Sequence, residues 1–462
     1  MKQYDAIVIG SGQAGGPLAK KLAAAGKKTL LIEKRYIGGT CVNDGCTPTK
    51  TMVASARIAY LASRCNDMGV KIKGYTVDLK QIKKRTQGIV LKSRNGGQKA
   101  IEQTKGLDLI FGEASFTGEK TITVNPKTGK ARQFKADLIF LNTGCKTIIP
   151  HDIDGLDDID YLTSTSILEL ESVPEHLLIL GGNYIGLEFG QMFKRFGSKV
   201  TILERSARLL GHEDEDVSLE LTHILEEEGL SILPNTKAIK FKNKGKNQVT
   251  VTVKTGDKEQ KIKCSHVLVA IGRAPQTSKL GLNTTGVEVD EKGFIKINDK
   301  LETTKPGIYA LGDVKGGPAF THISYNDYTI VYRNLIEGQN LSIQDRPVPY
   351  CMFTDPELGR IGITEAEALK KGLNFKVAKL PMAHVARAIE TGDTRGFMKA
   401  VVDADTKQIL GAAVIGTEGG EIMTVLQMAM EGGITYDRIR YCVFAHPTYS
   451  ESLNNLFMSI ED

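Results

Sequence analysis

One pattern, consisting of a strand, a glycine-rich turn, a helix and a second strand, occurs twice in this chain of 462 residues. The first copy covers residues 5–33 and the second covers residues 176–204. In each copy the turn carries spaced glycines, and the second strand ends at a glutamate. Because a strand that enters a helix through such a turn is typical of dinucleotide-binding folds, the repeat predicts an α/β protein with two dinucleotide sites.

The first turn, residues 10–15, has the spacing Gly-x-Gly-x-x-Gly. Gly10 permits the tight turn, Gly12 lets backbone N–H groups approach a pyrophosphate, and Gly15 lets the helix and strand pack closely. Glu33 ends the next strand about 20 residues further on, where an acidic residue binds ribose hydroxyls. The flanking strands and Glu33 favour a nucleotide site over a purely structural turn.

The second turn, residues 181–186, keeps Gly181 and Gly186 but has Asn183 in place of the middle glycine. Asparagine tolerates unusual backbone angles better than most residues. We expect its side chain to crowd a pyrophosphate, which would lower nucleotide affinity without abolishing binding.

The glutamate that ends the second copy, Glu204, bears on the choice of nucleotide. A carboxylate there accepts hydrogen bonds from the 2′-OH of NADH and repels the 2′-phosphate of NADPH. We therefore favour NADH, although Arg205 and Arg208 follow closely and would tolerate NADPH. An ordinary surface glutamate is the alternative interpretation.

Two cysteines, Cys41 and Cys46, follow the first copy with four residues between them. This spacing can bring both sulfurs within bonding reach, and the alternatives are a metal pair or two unrelated thiols. A zinc site needs two more ligands at short spacing, and none is near. Pro48 and the helix that follows place Cys46 near a helix N-terminus, which favours the thiolate, and Lys50 adds a positive charge.

The overall composition is that of an ordinary globular protein, with 60 basic and 54 acidic residues and a net charge of +6. This mild balance does not favour nucleic acid as a partner. No apolar run approaches the roughly 18 residues of a membrane span, and a strand at the very beginning leaves no room for a signal peptide. We therefore expect a cytoplasmic protein without membrane association, in which any disulfide is catalytic.

The segment 38–50, Gly-Gly-Thr-Cys-Val-Asn-Asp-Gly-Cys-Thr-Pro-Thr-Lys, resembles the class I pyridine nucleotide–disulfide oxidoreductases. These enzymes include lipoamide dehydrogenase, glutathione reductase and mercuric reductase. The resemblance covers essentially the whole chain. It implies that FAD binds the first turn and that NADH, or NADPH as the alternative, binds the second. It also implies that Cys46 lies nearer the flavin and that Cys41 attacks the substrate.

The resemblance implies roles for several further residues. Lys50 is expected to pair with Glu188 beside the flavin, Tyr184 to cover the nicotinamide pocket, and Asp313 to bind the ribityl chain. His322 is expected to be structural. The other residues expected to bind a cofactor are Gly39, Thr40, Gly272 and Gly312.

Near the C-terminus, His446 begins the sequence His-Pro-x-x-x-Glu, which ends at Glu451. Glu451 can reach back and hold the imidazole in one tautomer, and a histidine oriented in this way can exchange a proton with the Cys41 thiol. In the enzymes that the chain resembles, this histidine acts across a two-fold dimer interface. The resemblance therefore implies a homodimer.

Beyond about Pro347, strands such as 399–402 and 411–415 alternate with helices, as in an α+β domain. The expected architecture is two Rossmann-like domains followed by a C-terminal α+β dimerisation domain. The expected boundaries are 1–150 and 276–346 for the FAD-binding domain, 151–275 for the NAD(P)H-binding domain and 347–462 for the dimerisation domain.

Segments 48–51 and 450–457 are more similar to mercuric reductase and the reactive-chlorine-resistance flavoproteins than to lipoamide dehydrogenase. The chain ends without the C-terminal cysteine pair of mercuric reductases, and it has His446 where those enzymes have a tyrosine. We therefore expect an NADH-dependent flavoprotein that reduces a small disulfide, a reactive oxidant or a soft metal ion and holds no metal of its own. The alternatives are a lipoamide dehydrogenase and a flavin-bound redox sensor with little turnover.

Overall fold

The computed structural model describes residues 1–344 and 346–461, which form two compact units. The first unit contains residues 1–51, 81–148 and 272–346. The second unit contains residues 52–80 and 149–271 and the chain from Pro347 onward. Because each unit combines distant segments, neither corresponds to one uninterrupted stretch of sequence.

The chain up to Ile148 begins with the predicted strand, turn, helix and strand. Helix α1 buries Leu18, Ala19 and Leu22 along the face that covers the sheet. The elements of this segment are β1 (Lys2–Ile9), α1 (Gly15–Ala24), β2 (Thr29–Glu33), α2 (Gly39–Asn43), α3 (Cys46–Arg64), α4 (Leu79–Glu102), β3 (Leu107–Phe111), β4 (Glu113–Gly118), β5 (Thr121–Asn125), β6 (Arg132–Leu141) and β7 (Cys145–Thr147).

The segment from Ile149 to Ile271 contains the second copy of the pattern. Its parallel sheet has the order β10-β9-β8-β14, and an antiparallel sheet has the order β11-β12-β13. The elements are β8 (His176–Leu180), α5 (Tyr184–Phe196), β9 (Lys199–Leu203), α6 (Glu215–Glu227), β10 (Ser231–Leu233), β11 (Thr236–Asn243), β12 (Val249–Thr255), β13 (Lys258–Cys264) and β14 (His266–Val269).

The remaining chain returns to the first unit and then completes the second. From Pro347 onward an antiparallel sheet has the order β17-β18-β21-β20-β19. The elements are β15 (Arg273–Pro275), β16 (Ile308–Ala310), α7 (Thr321–Ile336), β17 (Tyr350–Met352), β18 (Glu357–Gly362), α8 (Glu365–Lys370), β19 (Phe375–Pro381), α9 (Ala386–Thr391), β20 (Phe397–Asp403), β21 (Ile409–Gly416), α10 (Gly419–Glu431), α11 (Tyr436–Arg440) and α12 (Leu453–Met458).

In the first unit, strands β1, β6 and β16 end at the same edge of one sheet. β1 and β6 are parallel and pair Ile9 with Leu141, and β6 and β16 are parallel and pair Leu141 with Ala310. The residues that directly follow these strand ends therefore meet. This is the edge at which parallel α/β sheets place their ligands.

The fold confirms the predicted α/β class, and several elements agree closely with the sequence analysis. The sequence predicts strands over 176–180 and 199–203, and both are found with those bounds. It also predicts a helix over 89–104 despite Gly96 and Gly97, and helix α4 begins ten residues earlier, at Leu79, and continues through both glycines. Both glycines have open space or ordinary contacts around them, so the helix loses no packing at these positions.

A buried carboxylate, Glu213, precedes α6 in the second unit. Neither of its oxygens has a hydrogen-bond partner among the described residues, and its Oε2 lies 3.6 Å from Nε of Arg360. Burial raises the pKa of Glu213 to about 7, and the charges of Asp214 and Glu367 act in the same direction against Arg360 and Lys399. The folded chain therefore holds this proton more tightly than an unfolded chain, in which the pKa is near 4.5.

We expect Glu213 to lower the stability as the pH rises from about 4.5 to about 7, since the folded state must then ionise a buried carboxyl. The loss should be roughly 3 kcal/mol over this range. Glu213→Gln should flatten this part of the stability profile, measured as the thermal midpoint against pH. Glu119→Gln, at an exposed position, is the control. Parallel profiles for the wild type and Glu213→Gln would contradict the assignment.

Candidate active site

The turn after β1 is packed so closely that it requires glycine. Gly10 has a φ of 99°, and a Cβ there would overlap the backbone carbonyl of Asn142. A Cβ on Gly15 would overlap the carbonyl oxygen of Gly10, and one on Gly12 would lie 3.0 Å from Oδ1 of Asn142. The glycine spacing therefore has the packing role that a dinucleotide turn requires, and the turn fits the pyrophosphate of FAD.

Asn142, which follows β6, holds the turn to the neighbouring strands. Its Oδ1 accepts a hydrogen bond from the N–H of Gly15 at 3.0 Å, and its Nδ2 donates to the carbonyl of Leu311 at 2.9 Å. Asn142 is a buried residue that the sequence analysis missed. The available signal was a polar residue directly after a buried apolar strand in a parallel sheet.

Glu33, at the end of β2, is buried against the same turn. Its Oε2 accepts hydrogen bonds from the N–H of Ser11 at 3.0 Å and from its hydroxyl at 2.8 Å. Its Oε1 accepts from the N–H of Arg35 at 2.8 Å. The carboxylate thus lies beside the first turn, at the position where a ribose hydroxyl would need an acceptor.

Gly312 and Asp313 follow β16 at this edge. Gly312 has a φ of 70°, its N–H donates to Oδ2 of Asp327 at 2.7 Å, and a Cβ there would lie 2.8 Å from Nδ2 of Asn142. Burial raises the pKa of Asp313, while the positive charges of Arg273 and Lys315 act against this rise. A partly buried carboxylate fits the hydroxyls of a ribityl chain, because such a group needs hydrogen-bond donors.

The cysteine pair lies next to the first turn. Cys41 is in α2, and α3 begins at Cys46 itself, whereas the sequence analysis placed Cys46 just before the helix. Gly39, with a φ of 63°, brings this segment so close to the turn that a Cβ would lie 2.7 Å from Cα of Gly12. Thr40 follows Gly39 in α2. The sequence therefore joins a phosphate-binding turn directly to two thiols.

The two thiols are chemically different. Cys46 is exposed, and its sulfur lies 3.2 Å from Oγ1 of Thr321 at the beginning of α7. The pKa of Cys41 is raised well above its usual range by the hydrogen bond that its thiol donates to Cys46, by burial and by the charge of Cys46. Because Cys41 is then a protonated thiol, it needs a base before it can act as a nucleophile.

The second turn repeats the backbone contacts of the first. A Cβ on Gly181 would lie 2.6 Å from the carbonyl oxygen of Ala270, and one on Gly186 would overlap the carbonyl of Gly181. Glu204 accepts hydrogen bonds from the N–H groups of Gly182 and Ser206, each at 2.7 Å. This carboxylate accepts hydrogen bonds from backbone N–H groups at its turn, as Glu33 does at the first turn. The second turn therefore also fits a dinucleotide.

Asn183 adopts extended backbone angles, with φ of −110° and ψ of 175°. The unusual angles that the sequence analysis associated with asparagine are therefore not used here, and the left-handed residue of the turn is Gly181, with a φ of 109°. The Oδ1 of Asn183 accepts a hydrogen bond from the N–H of Tyr184 at 2.8 Å and caps α5. Asn183 is exposed and Tyr184 is partly buried.

The other expected cofactor residues lie in both units. Lys50 is on α3 in the first unit, and Gly272, with a φ of 142°, directly precedes β15. Glu188 is buried on α5 in the second unit, where its Oε1 accepts a hydrogen bond from the N–H of Phe353 at 2.9 Å. The pairing of Lys50 with Glu188 therefore stays a prediction.

His446 and Glu451 form the predicted pair in the second unit. The Nδ1 of His446 lies 2.9 and 3.0 Å from the two carboxylate oxygens of Glu451. Side-chain exposure is 72% for the histidine and 18% for the glutamate, so a partly buried carboxylate orients an accessible imidazole. With Nδ1 held as a donor, Nε2 is the nitrogen that can take up a proton.

Two kinds of feature, a cluster of metal ligands and a membrane-spanning helix, are absent from the part of the chain that the structure describes. Across residues 1–344 and 346–461, no group of three or more His, Cys, Asp or Glu side chains could hold a metal ion. None of the helices in these ranges is long and apolar enough to cross a membrane.

The chain belongs to the pyridine nucleotide-disulphide oxidoreductases, a family of flavoprotein enzymes. Residues 4–327 match this family, and residues 348–457 match its dimerisation domain. The chain is 37% identical to a probable pyridine nucleotide-disulfide oxidoreductase, RclA, of Escherichia coli K12, over the full length of both chains. The predicted family and enzyme class are confirmed.

Two further relatives represent other branches of the family. A mercuric reductase of Bacillus cereus is 36% identical over 97% of this chain and 70% of its own length. A dihydrolipoyl dehydrogenase of Thermus scotoductus is 36% identical over 98% of this chain and 96% of its own. The solved structure of a Cu(II) complex of the HOCl-induced flavoprotein disulfide reductase RclA from Escherichia coli has a TM-score of 0.91, with 37% identity and full coverage of both chains.

Asn142→Ala should weaken flavin binding, because the variant loses the bonds that join the turn to Leu311 and leaves buried polar groups unpaired. The expected cost is about 1–3 kcal/mol. The measurements are the ratio of flavin to protein after gel filtration and the thermal midpoint. Asn374→Ala, at an exposed residue that bonds Asp405, is the control. Full flavin content with an unchanged midpoint would refute the role of Asn142.

Proposed function

We propose that the chain is an FAD-dependent NAD(P)H reductase that passes two electrons through Cys41 and Cys46 to a small disulfide, a reactive oxidant or a soft metal ion. The single observation that supports this most is the contact between Gly39 and Gly12, which joins the cysteine segment to the first dinucleotide turn. When bound, FAD supplies two-electron transfer between a nicotinamide and the cysteine pair.

The different environments of the two thiols suggest that each has its own role in disulfide reduction. In the reduced pair, Cys41 attacks one sulfur of the substrate, the substrate S–S bond breaks, and the leaving thiolate takes a proton. Cys46 then attacks the Cys41 sulfur of this mixed disulfide, which releases the second thiol and forms the Cys41–Cys46 bond. The substrate gains two electrons and two protons, and NADH supplies both electrons.

The raised pKa of Cys41 supports a need for a base in this sequence. We assign the base to the Nε2 of His446, oriented through Nδ1 by Glu451. The imidazole would take the proton of Cys41 and return it to the leaving thiolate. The match to a dimerisation domain supports a homodimer. In such a dimer, His446 of one subunit would exchange the proton with Cys41 of the other.

We propose NADH as the preferred donor. Glu204 presents its carboxylate at the second turn, where it would accept from a 2′-OH and repel a 2′-phosphate. One similar protein bears on the choice of electron acceptor. The Escherichia coli reductase is described as HOCl-induced and was solved with Cu(II), which favours oxidants and soft metal ions as candidates.

Lipoamide dehydrogenase is the second candidate function. The 36% identity to the dihydrolipoyl dehydrogenase of Thermus scotoductus supports it, and the His446–Glu451 pair is compatible with it. Oxidation of dihydrolipoamide by NAD⁺, compared with NADH oxidation by disulfides, Hg(II), Cu(II) and hypohalous-derived oxidants, separates the two. Fast reduction of NAD⁺ by dihydrolipoamide would favour the dehydrogenase.

Cys41→Ser tests the path of the electrons. Reduction of the flavin by NADH should remain, because the variant changes neither dinucleotide turn, while steady-state reduction of a disulfide should be abolished. The measurements are anaerobic bleaching of the flavin absorbance and NADH consumption with the disulfide. Cys65→Ser is the control. Full disulfide turnover by Cys41→Ser would exclude the mechanism.

His446→Gln tests the proton path. Disulfide turnover should fall by about 10²–10⁴-fold, as expected for the loss of a general base. Flavin reduction by NADH should not change. His151→Gln is a matched control because its Nδ1 also pairs with a carboxylate, 2.8 Å from Asp157. Equal turnover in His446→Gln and wild type across pH would remove His446 from the mechanism.

A further inference from the structure

The N–H groups at the beginning of the helix that follows each dinucleotide turn find their side-chain acceptor in different places. Asn142 follows β6, and its N–H bonds the carbonyl of Ile9, which precedes the first turn. Ala270 takes the corresponding place in the second unit, since its N–H bonds the carbonyl of Leu180. Asn142 provides a side-chain acceptor for the helix from a neighbouring strand, and an alanine cannot do so.

In the second unit the side-chain acceptor comes from the turn itself. Helix α5 has 13 residues, and its N-cap Asn183 accepts the N–H of Tyr184 through Oδ1 at 2.8 Å. By contrast, the residue before α1, Ala14, has no side-chain cap. Asn183 also takes the place of the middle glycine, the position at which a backbone must approach a pyrophosphate.

The N–H group that Asn183 occupies belongs to the set that a phosphate would use. The first N–H groups of a helix have no partner within the helix and point toward an anion at its N-terminus. Asn183 is exposed on the turn and places a carbonyl oxygen, with partial negative charge, on one of these donors. A bound pyrophosphate would accept a hydrogen bond from the same N–H group, that of Tyr184.

We propose that Asn183 is an affinity-determining residue that competes with the nicotinamide dinucleotide for the N-terminus of α5. This inference rests on the proposed binding of NAD(P)H at the second turn. The competition lowers the affinity for NADH and NADPH by the same factor, because it acts on the pyrophosphate that both share. Glu204 acts on the ribose and determines the ratio of the affinities for NADH and NADPH.

Asn183→Gly removes the competitor at little cost to the fold, since glycine is tolerated at an N-cap with a loss of only a few tenths of a kcal/mol. The probes are NAD⁺ and NADP⁺, which do not reduce the flavin, bound to the FAD-loaded holoenzyme and followed by calorimetry. The dissociation constants of both should fall by about three- to tenfold, with their ratio unchanged.

Asn183→Asp is the opposing variant, because it keeps a cap on α5 and adds a negative charge beside the pyrophosphate. It should raise both dissociation constants, and the increase should shrink as salt is added. Thr364→Gly is the matched control, because Thr364 caps α8 in the same unit and the substitution also replaces a cap by glycine. It should leave both dissociation constants unchanged.

The outcomes separate this inference from the proposed function. If Asn183→Gly binds both nucleotides as wild type does, or more weakly, Asn183 is not a competitor and the inference is wrong, although NAD(P)H remains the donor. A change confined to one nucleotide would also overturn it, since the effect would then act at the ribose. If neither wild type nor variants bind either nucleotide, the proposed function and this inference both fail.

Discussion

The first unit depends on backbone contacts at the common edge of β1, β6 and β16 that leave no room for a Cβ. Gly10 lies against the carbonyl of Asn142, and Gly312 lies against its side chain. Asn142 completes this junction with hydrogen bonds toward the turn and toward the third strand. The first glycine turn, Asp313 and the strand ends are therefore packed together, and a change at any one of them is expected to affect the proposed flavin site.

The proposed disulfide chemistry depends on the cysteine segment that packs against this junction. Gly39 brings the segment that carries both cysteines against Gly12, so this segment is packed next to the first glycine turn. Burial and the neighbouring sulfur keep Cys41 protonated, which makes a separate proton acceptor necessary. An accessible imidazole held through one nitrogen by a carboxylate, as in His446 and Glu451, is suited to that task.

The sequence predicted those features that a local pattern carries. Glycine spacing, the strands at 176–180 and 199–203, the position of Cys46 near a helix N-terminus and the pairing of His446 with Glu451 all depend on residues close in sequence. Asn142 was missed because its local signal, a polar residue after a buried apolar strand, does not show that three distant strand ends meet there.

The position of Asn183 illustrates a second reason why the sequence was insufficient. Its residue type suggested an unusual backbone conformation, but Gly181 has the left-handed φ of 109° and Asn183 remains extended. The side chain of Asn183 accepts the N–H of Tyr184, whereas Ala270, at the place that Asn142 takes in the first unit, has no side-chain acceptor. The residue type alone does not show which of these positions provides the acceptor for the helix.

The most direct test of the electron path is to label the thiols of the oxidised holoenzyme before and after anaerobic addition of NADH. The chain has seven cysteines, and mass spectrometry can report the alkylation of each one. The account predicts that Cys41 and Cys46, and no others, become newly alkylated on reduction. Newly labelled thiols elsewhere, or none at all while the flavin is reduced, would contradict it.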